Sequence, residues 1–229
     1  MRRAITLLFS ICVLNMIDCT GQTHNLLSFF EEIQRDSTVN TLDFGLKNIS
    51  GKDITDSVAI HYFFNNDKGK LYAEEEAYNM DDNTYKVVRY KRTVEAIFSK
   101  KIDTINILCY WIDAVNYLAI YNKTKDTIVS NYPFCVLNTA AGETFTHSVL
   151  FPNNYIFSIE TTDDTTTKTR AKLIEIDCVN KRFIERKNIL LESAIIIENM
   201  DSNDEKYKRA LNSVGISEKG GLLMPNQEQ

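Results

Sequence analysis

Apolar and polar positions change rhythm several times along this chain. Behind Arg2 and Arg3, a predominantly apolar run extends from Ala4 to Leu14 and closes in Cys19-Thr20-Gly21. From Asn25 to Gln34, Leu26, Phe29, Phe30 and Ile33 recur at three and four, with Glu31, Glu32 and Gln34 between them, which predicts a short amphipathic helix. After Asp36 the texture becomes runs of Ile, Val, Tyr, Phe and Thr broken by Asn, Asp, Gly and Lys, the pattern of strands and turns. Ser202 to Asn212 predicts a second helix: Asp204 and Glu205 come early and Lys208 and Arg209 late, and Gly215 supplies the left-handed stop. Residues 217–229, with Gly220-Gly221 and Pro225, read as a loose tail.

Within the β-rich stretch a unit recurs. Phe63-Phe64-Asn65-Asn66-Asp67-Lys68-Gly69-Lys70-Leu71 has apolar ends around a polar turn, and so does Ile120-Tyr121-Asn122-Lys123-Thr124-Lys125-Asp126-Thr127-Ile128, 57 residues later. A third copy, Ile176-Asp177-Cys178-Val179-Asn180-Lys181-Arg182-Phe183-Ile184, follows after 56 more. Each copy predicts a β-hairpin. An apolar strand precedes the second copy at Ile105 to Ile112 and the third at Tyr155 to Ile159, giving strand, loop, strand, turn, strand.

Small antiparallel sheets repeated at a fixed interval suit a propeller, in which each blade packs on the next. With its tyrosine-asparagine-lysine turns and this spacing, the chain resembles, over about residues 58–190, the six-bladed β-propeller proteins exported by some Gram-negative bacteria. The resemblance implies a mainly β fold of antiparallel hairpin repeats and an envelope location, and it carries over no active-site residue. Removing 21 leader residues from 229 leaves 208, fewer than four units of 56, so a propeller would be small or incomplete. A β-sandwich and an α+β arrangement are the alternatives. The expected organisation is a leader at 1–21, one β-rich domain at 22–216 and the tail at 217–229.

The N-terminal run is the length of a secretory signal and too short to span a bilayer. Cleavage after Gly21 would leave Gln22 first. A lipoprotein reading would instead lipidate Cys19, although Asp18 stands where a small residue is usual, and an uncleaved anchor is the third alternative. The expected location is periplasmic or secreted, or lipid-anchored at the outer envelope. Without residues 1–21 the chain carries 24 Lys+Arg and 30 Asp+Glu, a net charge of −6. With no basic block, nucleic acid is not an expected partner, and membrane contact is expected only through the lipid anchor.

Cys109, Cys135 and Cys178 survive cleavage, an odd number that allows one disulfide at most. Burial as small hydrophobes is the first expectation and a Cys109–Cys135 bridge the second. His24, His61 and His147 have no paired spacing for zinc. No cofactor is expected.

Glu74-Glu75-Glu76 with Asp81-Asp82 reads as a solvated acidic loop, since adjacent acids cannot face each other across a glycosidic bond. Thr161 to Thr167, with Asp163 and Asp164, offers oxygens to a hard cation but lacks the glycine turn and distal Glu of a calcium loop. Ser148 adjoins His147 outside any nucleophile elbow. The sequons at Asn48 and Asn122 matter only in a eukaryotic secretory pathway. Among the aromatics Tyr62, Phe63, Tyr110, Trp111, Tyr117, Tyr121 and Tyr155, the expected binding residues are Trp111, Tyr117 and Tyr155. No catalytic residue is assigned. The expectation is an exported envelope protein that binds a protein or glycan partner without catalysis, with a secreted hydrolase or an inhibitor or immunity-type protein as alternatives.

Overall fold

The computed structural model describes residues 25–41, 51–79, 83–136, 144–162, 167–192 and 204–223. The segment expected to be a leader, with Asp18 and Cys19, lies outside the described residues, as do His24, Asn48, Asp81, Asp82, Asp163 and Asp164.

The fold is mainly β with two short α-helices. In chain order the elements are β1 (Glu31–Ile33), β2 (Val39–Asn40), β3 (Lys52–Asp53), α1 (Asp56–Tyr62), β4 (Tyr72–Asn79) and β5 (Thr84–Lys91). They continue as β6 (Glu95–Ile102), β7 (Ile105–Ile112), β8 (Val115–Asn122), β9 (Thr127–Val136), β10 (Thr144–Leu150), β11 (Tyr155–Thr162), β12 (Lys168–Asp177), β13 (Arg182–Leu190) and α2 (Glu205–Ser213). Strands β6 to β13 pair in sequence order as one antiparallel meander; β1 adds to β6 in parallel, while β3 pairs β6 and β2 pairs β10. The described residues form one continuous large sheet and one separate two-stranded sheet, β4–β5, with neither a closed barrel nor a propeller among them.

Alternation along the strands places the core on both sides of this sheet. On β7, Ile105, Ile107 and Cys109 face one way, with Leu118 and Ile120 of β8. They meet Phe134 of β9, Leu150 of β10, Ile156 of β11 and Ile174 and Ile176 of β12, so the two halves of the meander curl around a shared core. Tyr132 of β9 also lies 5.6 Å from the Phe183 ring of β13. The other face of β7 and β8, with Leu108, Tyr110, Ala119 and Tyr121, is covered by Val58, Ala59 and Tyr62 of α1. The other face of the second half, with Val149, Phe157, Ile159 and Leu173, is covered by Tyr207, Ala210 and Leu211 of α2.

Polar ties close this arrangement. Tyr62 and Tyr121 both donate their hydroxyls to Asp126 Oδ1, at 2.7 and 2.5 Å, fastening α1 to the β8–β9 turn. Burial, and the carboxylate they share, push both phenols above their ordinary range. Lys100, fully buried on β6, donates to the Ser37 carbonyl in the segment between β1 and β2. Burial lowers its pKa, as it does for any ammonium taken from water. The meander's tight turns use few glycines: Asp103, Asp113, Ala114, Asp126 and Lys181 all have positive φ.

Several sequence expectations are corrected. Only Leu26–Phe29 is helical, as a 3-10 turn, and Phe30 is already extended. Leu26 and Phe30 are buried, as their spacing requires, but pairing of Glu31–Ile33 with the open edge of β6 outweighs the helical pattern. The first of the three repeated units is not a hairpin. It begins at the end of α1, turns through Asn65 and Asn66 at positive φ and continues as a 3-10 helix at Lys68–Leu71. Val58 and Tyr62, four residues apart, bury one face of α1. The units at 120–128 and 176–184 are hairpins, β8–β9 and β12–β13. The C-terminal helix starts at Glu205, capped by Asp204, whose carboxylate accepts the Lys206 amide; its last turn holds no basic residue, and Gly215 follows at φ 75°. Residues 217–223, expected to be loose, form a hook: Gly221 N–H donates to Ser217 Oγ, Leu223 N–H to the Gly215 carbonyl, and Gly220 sits against the Phe151 ring.

Ile107 and Leu108 are adjacent residues, both 0% exposed, on opposite faces of β7. Ile107→Ala and Leu108→Ala should therefore each destabilise the fold by about 2–5 kcal/mol in urea unfolding. A loss below about 0.5 kcal/mol for either would show that its face is open to water.

Candidate functional site

The segment between α1 and β6 leaves the body of the protein. Strands β4 and β5 pair only with each other, in full register from Tyr72↔Lys91 to Asn79↔Thr84, and every residue of β5 is exposed. Eight residues per strand make an arm about 25 Å long. One of its faces carries Tyr72, Glu74, Glu76 and Tyr78 beside Lys91, Arg89, Val87 and Tyr85. The other carries Ala73, Glu75 and Ala77 beside Tyr90, Val88 and Lys86. Tyr85 is 70% exposed and Val87 65%, levels unusual for such side chains on a strand. On the first face Arg89 stacks over Tyr72 at 4.7 Å, and the Tyr78 and Tyr85 rings lie 5.1 Å apart, so the large groups are already ordered. A two-stranded hairpin with no core of its own is marginal in water, so this arm depends on its root.

The root is built by polar contacts. Arg92 ends the arm: its amide donates to the Leu71 carbonyl, its guanidinium to the Lys70 carbonyl at 3.1 Å and to Asp113 at the β7–β8 turn, and it lies 5.0 Å over the Phe64 ring. Lys91 pairs with Asp56 at the start of α1, at 2.7 Å, and that hydrogen bond raises the Lys91 pKa. A cleft of about 250 Å³ lies here between α1 and the arm, with Asp53, Thr55, Asp56, Lys91 and Arg92 on its walls. Lys91 and Asp56 engage each other on its wall, so the cleft lies at the joint of the arm and the body.

The acidic stretch Glu74-Glu75-Glu76 is thus part of strand β4 and not a loop, and its carboxylates alternate between the arm's faces. Trp111, Tyr117 and Tyr155 are not brought together. Trp111 shares the β7 side that faces the common core. Tyr117 stacks on Tyr110, ring centres 5.4 Å apart, on the opposite side, and Tyr155 packs on the cluster beneath α2. Sequence reasoning missed Tyr72, Tyr78, Tyr85 and Val87; their signal was a period of two in a segment dominated by its glutamates.

His147 and Ser148 do not cooperate. The Ser148 hydroxyl pairs with Ser158 Oγ at 2.8 Å, in the interior. His147 Nδ1 lies 3.1 Å from Thr41 Oγ1, which accepts the Ser148 amide, so the threonine's own hydrogen is free for the ring nitrogen. Burial pushes the His147 pKa down to about 4, so the ring is neutral at pH 7. Cys109, Cys135 and Cys178 are free thiols, the first two buried, and the Cys109–Cys135 bridge is not formed. Burial raises all three, Cys135 and Cys178 to about 11, which keeps them from acting as thiolates. Thr161 is buried and lies 3.2 Å from Thr169 Oγ1 across the strands. Among the described residues, no group of three His, Cys, Asp or Glu could hold a metal, and no helix is long and apolar enough to cross a membrane.

No family model matches the chain, and no curated protein or solved structure matches it either.

The unfolded His147 ring takes its proton near pH 6.5 and the folded one only near 4, so stability should fall as pH drops through that window. The loss should approach about 3 kcal/mol. Urea midpoints followed from neutral to acid pH should show this fall in the native chain and a reduced one in His147→Gln. Equal slopes in the two would remove His147 as the cause.

Proposed function

We propose that this is an exported protein of the cell envelope that acts without catalysis, by holding a protein partner against its β4–β5 arm. The observation that carries the reading is the arm itself: two strands outside the large sheet that present Tyr78, Tyr85, Val87 and Val88 to solvent. Aromatic and aliphatic side chains at such exposure favour partner contact. The Glu row on β4 and the Lys/Arg row on β5 suit a partner with charges of its own, which a neutral glycan lacks.

Other features agree with this assignment. The leader pattern at residues 1–21 supplies the export address, with Cys19 as the lipid attachment point in the anchored alternative. The resemblance to exported six-bladed propeller proteins points to the same location. Its strand-loop-strand-turn-strand units correspond to β7–β8–β9 and β11–β12–β13, and a small propeller-like relationship between them belongs to this proposal. The acids of β4 diverge to opposite faces, which fits a binding surface better than a hydrolase cleft.

Capture from envelope extract by the chain starting at Gln22 tests the reading. One stoichiometric protein should be retained by the native chain and lost by the double variant Tyr85→Ser, Val87→Ser, whose melting temperature should stay within a few degrees of the native one. Equal capture by both would overturn the arm as the contact surface.

A further inference from the structure

The arm's two edges and its two faces differ in what they tolerate. A symmetric antiparallel pair must be centred on a residue that faces its own copy. Pairing of β4 with β4 centred on Glu75 would set Glu75 opposite itself and Glu74 opposite Glu76 twice, and like charges directly opposite each other destabilise a ladder. Pairing of β5 with β5 would leave Tyr85 and Val87 uncovered on their face. Pairing β4 with β5 of the next copy matches the charges but does not close, since each addition exposes a new edge.

The face with Tyr85 and Val87 behaves differently. Its cross-strand register is Tyr72↔Lys91, Glu74↔Arg89, Glu76↔Val87 and Tyr78↔Tyr85. A second copy laid on this face by a two-fold axis parallel to the strands would set its β4 over the first copy's β5 at the same height. Glu74 of each chain would then meet Arg89 of the other, and Tyr78 would meet Tyr85. The acidic row would cover the basic row twice. This contact closes on itself, and it covers the two most exposed large side chains of the arm. The rings that would be buried are already held by Arg89 over Tyr72 and by Tyr78 against Tyr85, which lowers the ordering cost.

We propose that the partner of this arm is a second copy of the same chain, docked face to face as a two-fold dimer through Glu74–Tyr78 and Tyr85–Arg89. This rests on the arm being the protein's contact surface, as argued above.

Sedimentation and light scattering of the chain from Gln22, at micromolar concentrations, should report twice the mass of one chain. Glu74→Arg and Arg89→Glu, studied separately, should each weaken the dimer at least tenfold (about 1.4 kcal/mol), because each sets like charges across the contact twice. Mixed in equal amounts, the two variants should restore a dimer. In that mixture each face meets its opposite charge on the other chain, while the pair within each chain stays broken, so recovery reports on the contact and not on the folding of the arm. A native chain that is monomeric throughout, or a dimer indifferent to both substitutions, would overturn the proposal. If the native chain is monomeric yet envelope capture still depends on Tyr85 and Val87, self-association falls and the arm's role in binding stands. If capture is indifferent as well, both fall.

Discussion

The architecture depends on the burial of β7 and β8 on both faces. A strand whose successive residues are all apolar, such as Ile107-Leu108-Cys109-Tyr110, cannot leave either side to water. One side is satisfied by curling the second half of the meander over the first, which brings Phe134, Leu150, Ile156 and Ile174 against Ile107 and Leu118. The other side is satisfied by α1, and the equivalent outer face of β11 and β12 by α2. The short helices at either end of the chain are thus covers for a sheet. Their amphipathic faces match the strands beneath them, and Asp126 fixes α1 by accepting from two tyrosines at once.

The arm departs from this rule. In the body each strand exchanges apolar surface for contacts on two sides, while β4 and β5 exchange it on neither, although they carry four tyrosines and two valines. What holds the arm in place is polar: Arg92 bonded to Lys70 and Asp113, and Lys91 paired with Asp56. Rigid at the base and open along its length, the hairpin places an ordered surface well clear of the core.

How much of this could be read from the residues varied with the physics of each segment. The hairpins at 120–128 and 176–184 were legible because the polar stretch Asn122–Thr127 in one, and Asp177 with Asn180-Lys181-Arg182 in the other, breaks two apolar runs and leaves few options but a turn. Their structural equivalence is a shift of 55 and not 56, since Asn122↔Thr127 and Asp177↔Arg182 close the two turns. Asn65-Asn66-Asp67 has the same local texture but follows a helix, and polar residues at positive φ end helices as readily as they join strands. The segment 25–34 misled for a different reason. Its helical spacing was real, and Leu26 and Phe30 are buried accordingly, but an unpaired edge on β6, distant in sequence, offered hydrogen bonds that no local pattern encodes. Trp111, Tyr117 and Tyr155 do not share a surface, because strand parity and position along the meander send them to different layers. The arm was hidden by composition: three consecutive glutamates suggested a loop, although Tyr72, Tyr78, Tyr85 and Val87 kept strand alternation around them.

The turns carry a consequence for the unfolded chain. Among the described residues, nine non-glycine residues have positive φ, and seven of them are Asn or Asp, in a chain with eight glycines among 229 residues. A left-handed Asp103, Asp113 or Asp126 costs more in the native state than glycine would, yet its side chain restricts the denatured backbone far more. Reversals built in this way give up less disorder when they form. The meander therefore begins from a denatured ensemble already narrowed at its corners, and part of the stability of its hairpins resides in what the unfolded chain is unable to do.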